Sequence, residues 1–223
     1  HPIAAVVMHS GRLILHLVQS TIMSQISSTI TDPMAAQEAF EETNSLIEYL
    51  EGTLQSTRGE PFWPATAEAP VELILFVERL SRLVVRVYPK SREQWGRDAL
   101  LWVVSDTASQ FALRSCQIYR ALGARLTSSA CMHLLDALAG VLAAPHEERL
   151  AFGRDILQTL YAVVEVLDGH QLLLFPQIFW AAVALLHEPY VNIYRAAVDL
   201  IHLVVSKLDL SSRNVQHVFM ASI

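Results

Sequence analysis

The chain has little of what several classes of protein require. Two of its 223 residues are cysteine, too few for a disulfide framework, so a reducing compartment is expected. Basic residues are outnumbered: residues 1–90 carry six Lys or Arg against ten Asp or Glu, and residues 91–223 carry ten against twelve. Because nucleic-acid binding usually needs a basic domain, no nucleic-acid partner is predicted.

Motifs of catalysis and metal binding are also missing. The sequence has no glycine-rich phosphate loop, no G-x-S-x-G elbow, no H-E-x-x-H and no set of protein-kinase motifs. Its nine histidines do not combine with other residues into a set of three or four metal ligands. We therefore predict no metal, cofactor or catalytic residue. One enzyme alternative stays open, in which Cys116 is a nucleophile, because basic neighbours lower a thiol pKa.

A membrane span is the less favoured interpretation of residues 169–187. This segment has no Asp, Glu, Lys or Arg over nineteen positions, nearly the length of a transmembrane helix. However, Gln171, Pro176, Gln177 and two histidines interrupt it. We predict a buried helix here and no transmembrane span.

Apolar residues recur every three or four positions along most of the chain, which predicts a nearly all-helical protein. Asp32 and Pro33 are predicted as the N-cap and first residue of the second helix. Residues 53–69 are polar and bracketed by prolines, which predicts a long loop. There Phe62 and Trp63 either anchor the loop to the chain's own helices or dock a partner. The predicted helices span residues 3–29, 33–51, 70–88, 92–104, 109–122, 128–143, 147–167, 176–187, 190–207 and 212–221.

An internal repeat decides the predicted architecture. Arg114, Arg154 and Arg195 are 40 and 41 residues apart, and each lies near the start of a similar helix. Two-helix units of about 40 residues are typical of HEAT and armadillo-like repeats, which bury their apolar faces by stacking. We predict an all-α, HEAT/armadillo-like helical-repeat solenoid, or α-α superhelix, of about ten helices. In this prediction, residues 1–90 form a helical segment and residues 91–223 form the repeats, and the two parts together make one continuous solenoid.

The repeat predicts structural roles for Arg114, Arg154 and Arg195. The helix from Tyr194 resembles the second helix of a HEAT repeat, in which an arginine commonly pairs with an acidic residue of the preceding turn. Gln117 and Arg120 are less constrained by the repeat, so they are candidates for partner binding. The acidic residues placed to pair with the three repeat arginines are Asp106 for Arg114, Glu147 or Glu148 for Arg154, and Glu188 for Arg195.

A basic stripe is the most distinctive charged feature of the sequence. Its members lie at helical spacing and are Arg79, Arg82, Arg86, Lys90 and Arg92. Two interpretations stay open: an ordinary solvated helix face, or a docking site for an acidic or phosphorylated partner.

Two segments of the chain resemble the Furry-type cell morphogenesis family. They are residues 111–122, "FALRSCQIYRAL", and residues 173–204, "LLFPQIFWAAVALLHEPYVNIYRAAVDLIHLV". The resemblance runs from about residue 95 to 210, and residues 1–90 match less distinctly. It implies a piece from the C-terminal part of a very long helical-repeat scaffold, from a fungal member.

Such scaffolds are non-enzymatic and support signalling by NDR-type kinases and their Mob co-activators in polarised growth, cell shape and cytokinesis. The resemblance therefore implies a kinase and a Mob protein as partners, with cytoskeletal or cell-cortex proteins besides. It also implies a cytoplasmic location at the cell cortex and at sites of growth or division. A helical-repeat adaptor for transport or trafficking is the alternative. Because the chain starts without Met or a basic region, we expect it to be an excerpt.

Overall fold

The computed structural model describes residues 2–56, 71–105 and 110–221. The described residues contain no strand, and their regular elements are eleven α-helices and one 3₁₀ turn, Leu185–His187. The helices are α1 Pro2–Thr29, α2 Pro33–Ser56, α3 Val71–Val87, α4 Ser91–Ser105, α5 Gln110–Leu122, α6 Ser128–Ala143, α7 Glu147–Val166, α8 Gly169–Leu172, α9 Pro176–Ala184, α10 Val191–Lys207 and α11 Arg213–Met220.

Local sequence signals account for several helix ends. The Asp32 carboxylate accepts a hydrogen bond from the backbone N–H of Met34, and Pro33 is the first helical residue, as predicted. Thr127 caps α6 by accepting from the N–H of Ala130. Gly123 ends α5 with a φ of +56°, in the left-handed region that glycine enters without a steric penalty.

The chain divides into two compact units, residues 1–94 and 95–223. In the first unit, α1, α2 and α3 pack against one another in all three pairings. Their apolar faces bury a small core composed of Leu15, Ile22, Ile26, Ile47, Leu50 and Leu83. Amphipathic helices of this kind are stabilised mainly by burying one face, so the three helices depend on one another.

The second unit has two layers of helices. In one layer α5 packs on α7, and α7 packs on α10. In the other, α6 contacts α9, while α6 pairs with α7 and α9 pairs with α10 across the layers. Each pair therefore buries its apolar face against the next, as stacked helical repeats do. The predicted all-α helical-repeat fold is confirmed.

The structure corrects the prediction for residues 169–187. Instead of one helix from 176 there are α8, α9 and a 3₁₀ turn, and α8 was not predicted. Asp168 and Gln171 form a capping box that starts α8, with bonds of 2.8 and 3.1 Å. Within the described part of the chain, no helix has the length and apolar character that crossing a membrane requires.

α2 continues to Ser56, so residues 53–56, predicted as the start of the long loop, are helical. Phe62 and Trp63, the predicted anchors of this loop, lie outside the described residues.

Candidate functional site

An open polar groove lies between α7 and α10 in the second unit. It has a volume of about 530 Å³. We call it the α7–α10 groove. Its lining is mostly hydrophilic and consists of Arg154, Leu157, Gln158, Tyr161, Asn192, Arg195, Ala196, Asp199 and His202.

Close packing beside Arg154 sets the geometry of one end of this groove. Gly153 is buried, and a Cβ at this position would lie 3.1 Å from Val141 of α6 and 3.3 Å from Ile193 of α10. A larger residue would therefore crowd the side chains of Val141 and Ile193. The small glycine lets α10 approach α7 directly next to the arginine.

The two helices that line the groove run parallel. Gly153 and Ile193 meet near their N-terminal ends. At the other end, the Lys207 ammonium donates to the carbonyls of Glu165 at 2.7 Å and Leu167 at 2.8 Å. Residues of equivalent repeat position therefore face each other across the groove.

This parallel register gives the groove two chemically different ends. Arg154 and Arg195 belong to the end near the N-termini, and Asp199 and His202 follow Arg195 by one and two helical turns. Leu157 contributes an apolar, buried floor. The charged side chains of the lining are thus two guanidinium groups, those of Arg154 and Arg195, and the Asp199 carboxylate.

A buried ion pair fastens α5 to the opposite side of α7. Arg120 donates to the Asp155 carboxylate at 2.8 Å, to the Asp155 carbonyl at 2.9 Å and to the Thr159 hydroxyl at 2.9 Å. Asp155 is only 1% exposed. Burial raises the pKa of this carboxyl, and the charges of Arg120, Arg114 and Arg154 oppose that rise.

The ion pair corrects the prediction for Gln117 and Arg120. Gln117 is fully buried and accepts a hydrogen bond from Arg114, while Arg120 is held by Asp155 and Thr159. Neither side chain offers a partner the free surface that the repeat pattern suggested. The reason is that Gln117 is bound by Arg114 of its own helix and Arg120 by residues of α7, and the repeat pattern specifies neither contact.

The three repeat arginines have different environments. Arg114 is half-buried, Arg154 is half-buried at the groove, and Arg195 is exposed. No ion pair joins Arg195 to Glu188 among the described residues, so that predicted pairing is not formed. Asp106, the acid predicted for Arg114, lies outside them.

Two arginines of the basic stripe hold α3 to α2. The Arg79 guanidinium lies 3.6 Å from the centre of the Tyr49 ring, a cation–π contact. Arg86 donates to the Thr43 hydroxyl at 2.8 Å and forms an ion pair with Glu42. These two side chains therefore have packing roles inside the first unit.

The other members of the stripe differ in exposure. Arg92 donates to the hydroxyl of the buried Ser81 at 3.2 Å. Arg82 is exposed and pairs with Glu78 of its own helix at 2.6 Å, and Lys90 is exposed in the turn before α4. The stripe is thus divided between internal contacts and solvent, and partner docking on it stays a prediction.

Neither cysteine has the environment of a nucleophile. Burial raises the pKa of the Cys116 thiol, which is fully buried, and raises that of Cys131 to about 11. Reactive cysteines need a lowered pKa and access to solvent. The described residues contain no group of three or more His, Cys, Asp or Glu placed to hold a metal ion.

Sequence reasoning missed Asp155 and Thr159. One signal was available, since Asp155 follows its repeat arginine at a register where α5 has Ser115 and α10 has Ala196. An acid at a core register implies a buried partner. The polar groove residues Gln158 and Asn192 gave no comparable signal.

Comparison with known proteins gives two family matches. Residues 5–151 match the model described as "Cell morphogenesis central region", and residues 176–223 match "Cell morphogenesis C-terminal". The predicted resemblance is confirmed, and it extends into residues 1–90. No solved structure matches the chain significantly.

Two curated proteins are similar to parts of the chain. "Cell morphogenesis protein PAG1" of Saccharomyces cerevisiae is 30% identical over 118 residues, which is 53% of this chain and 5% of that protein. "Cell polarity protein mor2" of Schizosaccharomyces pombe is 27% identical over 99 residues, which is 44% of this chain and 4% of that protein. The chain therefore spans a small fraction of the length of these relatives.

Proposed function

This chain belongs to the cell morphogenesis family, and from that membership we propose that it is a non-enzymatic scaffold segment supporting NDR-type kinase and Mob signalling. The processes served are polarised growth, cell shape and cytokinesis. The names of the two relatives, a cell morphogenesis protein and a cell polarity protein, support this direction.

The observation that carries the proposal is the stacking of α5, α7 and α10 in one layer. Stacked repeats present an extended helical surface, and here that surface includes the open α7–α10 groove. A surface of this kind can hold two proteins near each other and raise their effective concentration. Cytoskeletal or cell-cortex proteins are further partners in this proposal.

The proposed location follows from the proposed role. A scaffold for polarised growth acts in the cytoplasm, at the cell cortex and at sites of growth or division. A fluorescent fusion of the full-length protein should concentrate at growing tips and division sites. A uniform distribution through the cell cycle would contradict this location.

The test of the function is a crosslinking map of the full-length protein with its kinase and Mob co-activator. We expect crosslinks from the kinase or the co-activator to lysines or acidic residues within residues 1–223. Crosslinks confined to other parts of the protein would make this segment a structural spacer. Crosslinks to transport cargo instead would favour an adaptor for trafficking.

A further inference from the structure

α10 has three faces with different surroundings. One face is buried in the core of the second unit through residues such as Ile193 and Leu200, and another lines the α7–α10 groove through Arg195 and Asp199. The third face is apolar. We call it the α10 stripe, and it consists of Val191, Tyr194, Val198, Ile201 and Val205.

Much of the α10 stripe is exposed to solvent. Val191 is 62% exposed, Tyr194 45% and Val198 39%, while Ile201 and Val205 are half-buried. The residues alternate at spacings of three and four, which is the spacing with which one helix packs along another. A contiguous apolar surface of this kind indicates that another element covers it.

The preceding repeat shows what kind of element covers such a stripe. The repeat offset of 41 residues relates the α10 stripe to a stripe on α7, composed of Leu150, Gly153, Leu157, Leu160 and Val164. α10 packs on this α7 stripe, since a Cβ at Gly153 would lie 3.3 Å from Ile193 of α10. Leu157, at the floor of the α7–α10 groove, is buried. The α10 stripe therefore corresponds to a surface that the next helix of the layer covers.

The layer of α6 and α9 already continues beyond α9. α11 packs on α9, where the rings of Phe179 and Phe219 lie 5.1 Å apart between their centres, edge to face. The Trp180 indole N–H also donates to the Phe219 carbonyl at 3.2 Å. In the layer of α5, α7 and α10, the described residues contain no helix at the corresponding place beyond α10.

We propose that an amphipathic helix of a further repeat of the same polypeptide covers the α10 stripe, running parallel to α10 and following α11 as α10 follows α9. The length of the relatives leaves room for such a repeat, since the similar segment is 53% of this chain and 5% of the Saccharomyces cerevisiae protein. The proposal goes beyond the scaffold function and does not depend on kinase or Mob binding.

The register of α10 on α7 specifies the chemistry of this covering helix. α10 buries an apolar face that includes Ala197 and Val204, so the covering helix needs apolar residues at the corresponding positions. One position differs between the two interfaces. Tyr194 takes the place that Gly153 has in α7, so the covering helix needs a small residue where α10 has Ile193.

A second copy of the chain fits the α10 stripe less well. The exposed parts of five side chains amount to a smaller area than the about 800 Å² per partner that a stable dimer buries. A helix of the same polypeptide needs less area, because its association is intramolecular and its effective concentration is therefore high.

The experiment compares cysteine labelling by N-ethylmaleimide in the 223-residue chain and in the purified full-length protein. Val198→Cys is the probe. Ser206→Cys is the matched control, because Ser206 is exposed outside the α10 stripe and its equivalent on α7, Glu165, stays exposed beneath α10. Mass spectrometry of the tryptic peptide 196–207, which contains both positions, measures the labelling rate. Circular dichroism confirms that each variant folds.

In the 223-residue chain both cysteines should react rapidly. In the full-length protein Val198→Cys should react at least about tenfold more slowly, because labelling then requires local opening of the covering helix. Ser206→Cys should react equally fast in both proteins. The protection of Val198→Cys should persist across a dilution series of the full-length protein, since an intramolecular contact does not depend on concentration.

Three results would overturn the inference. The first is equally rapid labelling of Val198→Cys in both proteins, which would leave the α10 stripe uncovered. The second is protection that is lost on dilution, which would make a second copy the occupant. The third is equal slowing of both cysteines, which would show no specific cover. Kinase and Mob crosslinks are measured separately, so either proposal can fail while the other stands.

Discussion

At the scale of single residues, the contact between Arg120 and Asp155 joins two neighbouring repeats. The two residues are 35 positions apart in sequence, and their ion pair lies between α5 and α7. Taking a carboxylate out of water is costly, and the charged hydrogen bond that Arg120 donates to it offsets part of that cost. The pair therefore fixes how the helices meet more than it adds net stability.

We expect Asp155→Asn to lower the free energy of unfolding by about 3 kcal/mol, because it leaves the Arg120 guanidinium without its counter-charge. Urea unfolding followed by circular dichroism measures the change. Asp136→Asn is the matched control, since Asp136 is exposed on α6, and it should change stability by less than about 0.5 kcal/mol. Equal effects of the two variants would contradict the structural role of the pair.

The second prediction at this scale concerns thiol reactivity. Burial raises the pKa of Cys131 to about 11 and raises that of Cys116 as well, so at pH 8 both thiols are almost entirely protonated. The thiolate is the reactive form. The native chain should therefore react very slowly with Ellman's reagent at pH 8, and two thiols should react at once in urea. Rapid native labelling of Cys116 would revive the enzyme alternative.

At the scale of helices, α7 is the central element of the second unit, since it packs against α5, α6 and α10. Gly153 allows a close approach of α7 to α6 and α10. Gly169, the first residue of α8, allows another close approach to α10, because a Cβ there would lie 2.7 Å from the Lys207 carbonyl oxygen. Backbone atoms cannot move aside as the tip of a side chain can.

Gly169→Ala should therefore destabilise the chain by about 1–3 kcal/mol. The matched control is Gly140→Ala within α6, where a new Cβ would meet nothing within 4 Å. Alanine is the better helix former, so this control should stabilise the chain by about 0.5–1 kcal/mol. The midpoints of urea unfolding compare the two variants. A change of stability in the same direction for both would contradict the predicted clash with the Lys207 carbonyl.

At the scale of the whole chain, the buried apolar residues of the described ranges form one cluster in each unit. One is formed by residues between 15 and 83, and the other by residues between 99 and 215. Each unit thus buries its own apolar faces, which is the physical requirement for independent folding.

We expect the fragment of residues 91–223, cut before α4, to fold without the preceding residues. Its far-ultraviolet circular dichroism should be helical and its thermal unfolding cooperative, because its core is complete. The control is the same fragment with Asp155→Asn, which should melt at a lower temperature. A fragment that is unfolded at 25 °C would contradict the independence of the two cores.

The sequence by itself determined the fold class, most helix positions and the family. Helical periodicity, proline and N-cap residues act over a few neighbouring positions, so they can be read directly from the chain. The spacing of Arg114, Arg154 and Arg195 likewise indicated repeats before any contact was known. The capping box of α8 was equally local, and it was missed because residues 168–175 were interpreted as a connection between two helices.

Only the tertiary structure decided which polar residues are buried and which face the groove. Arg120 reaches Asp155 and Thr159, while Arg154 and Arg195 line an open surface, although nothing in the local sequence separates the first arginine from the other two. The reason is that each side chain's environment depends on the neighbouring helix that stacks against it. That neighbour is about 40 residues away, beyond the reach of local pattern.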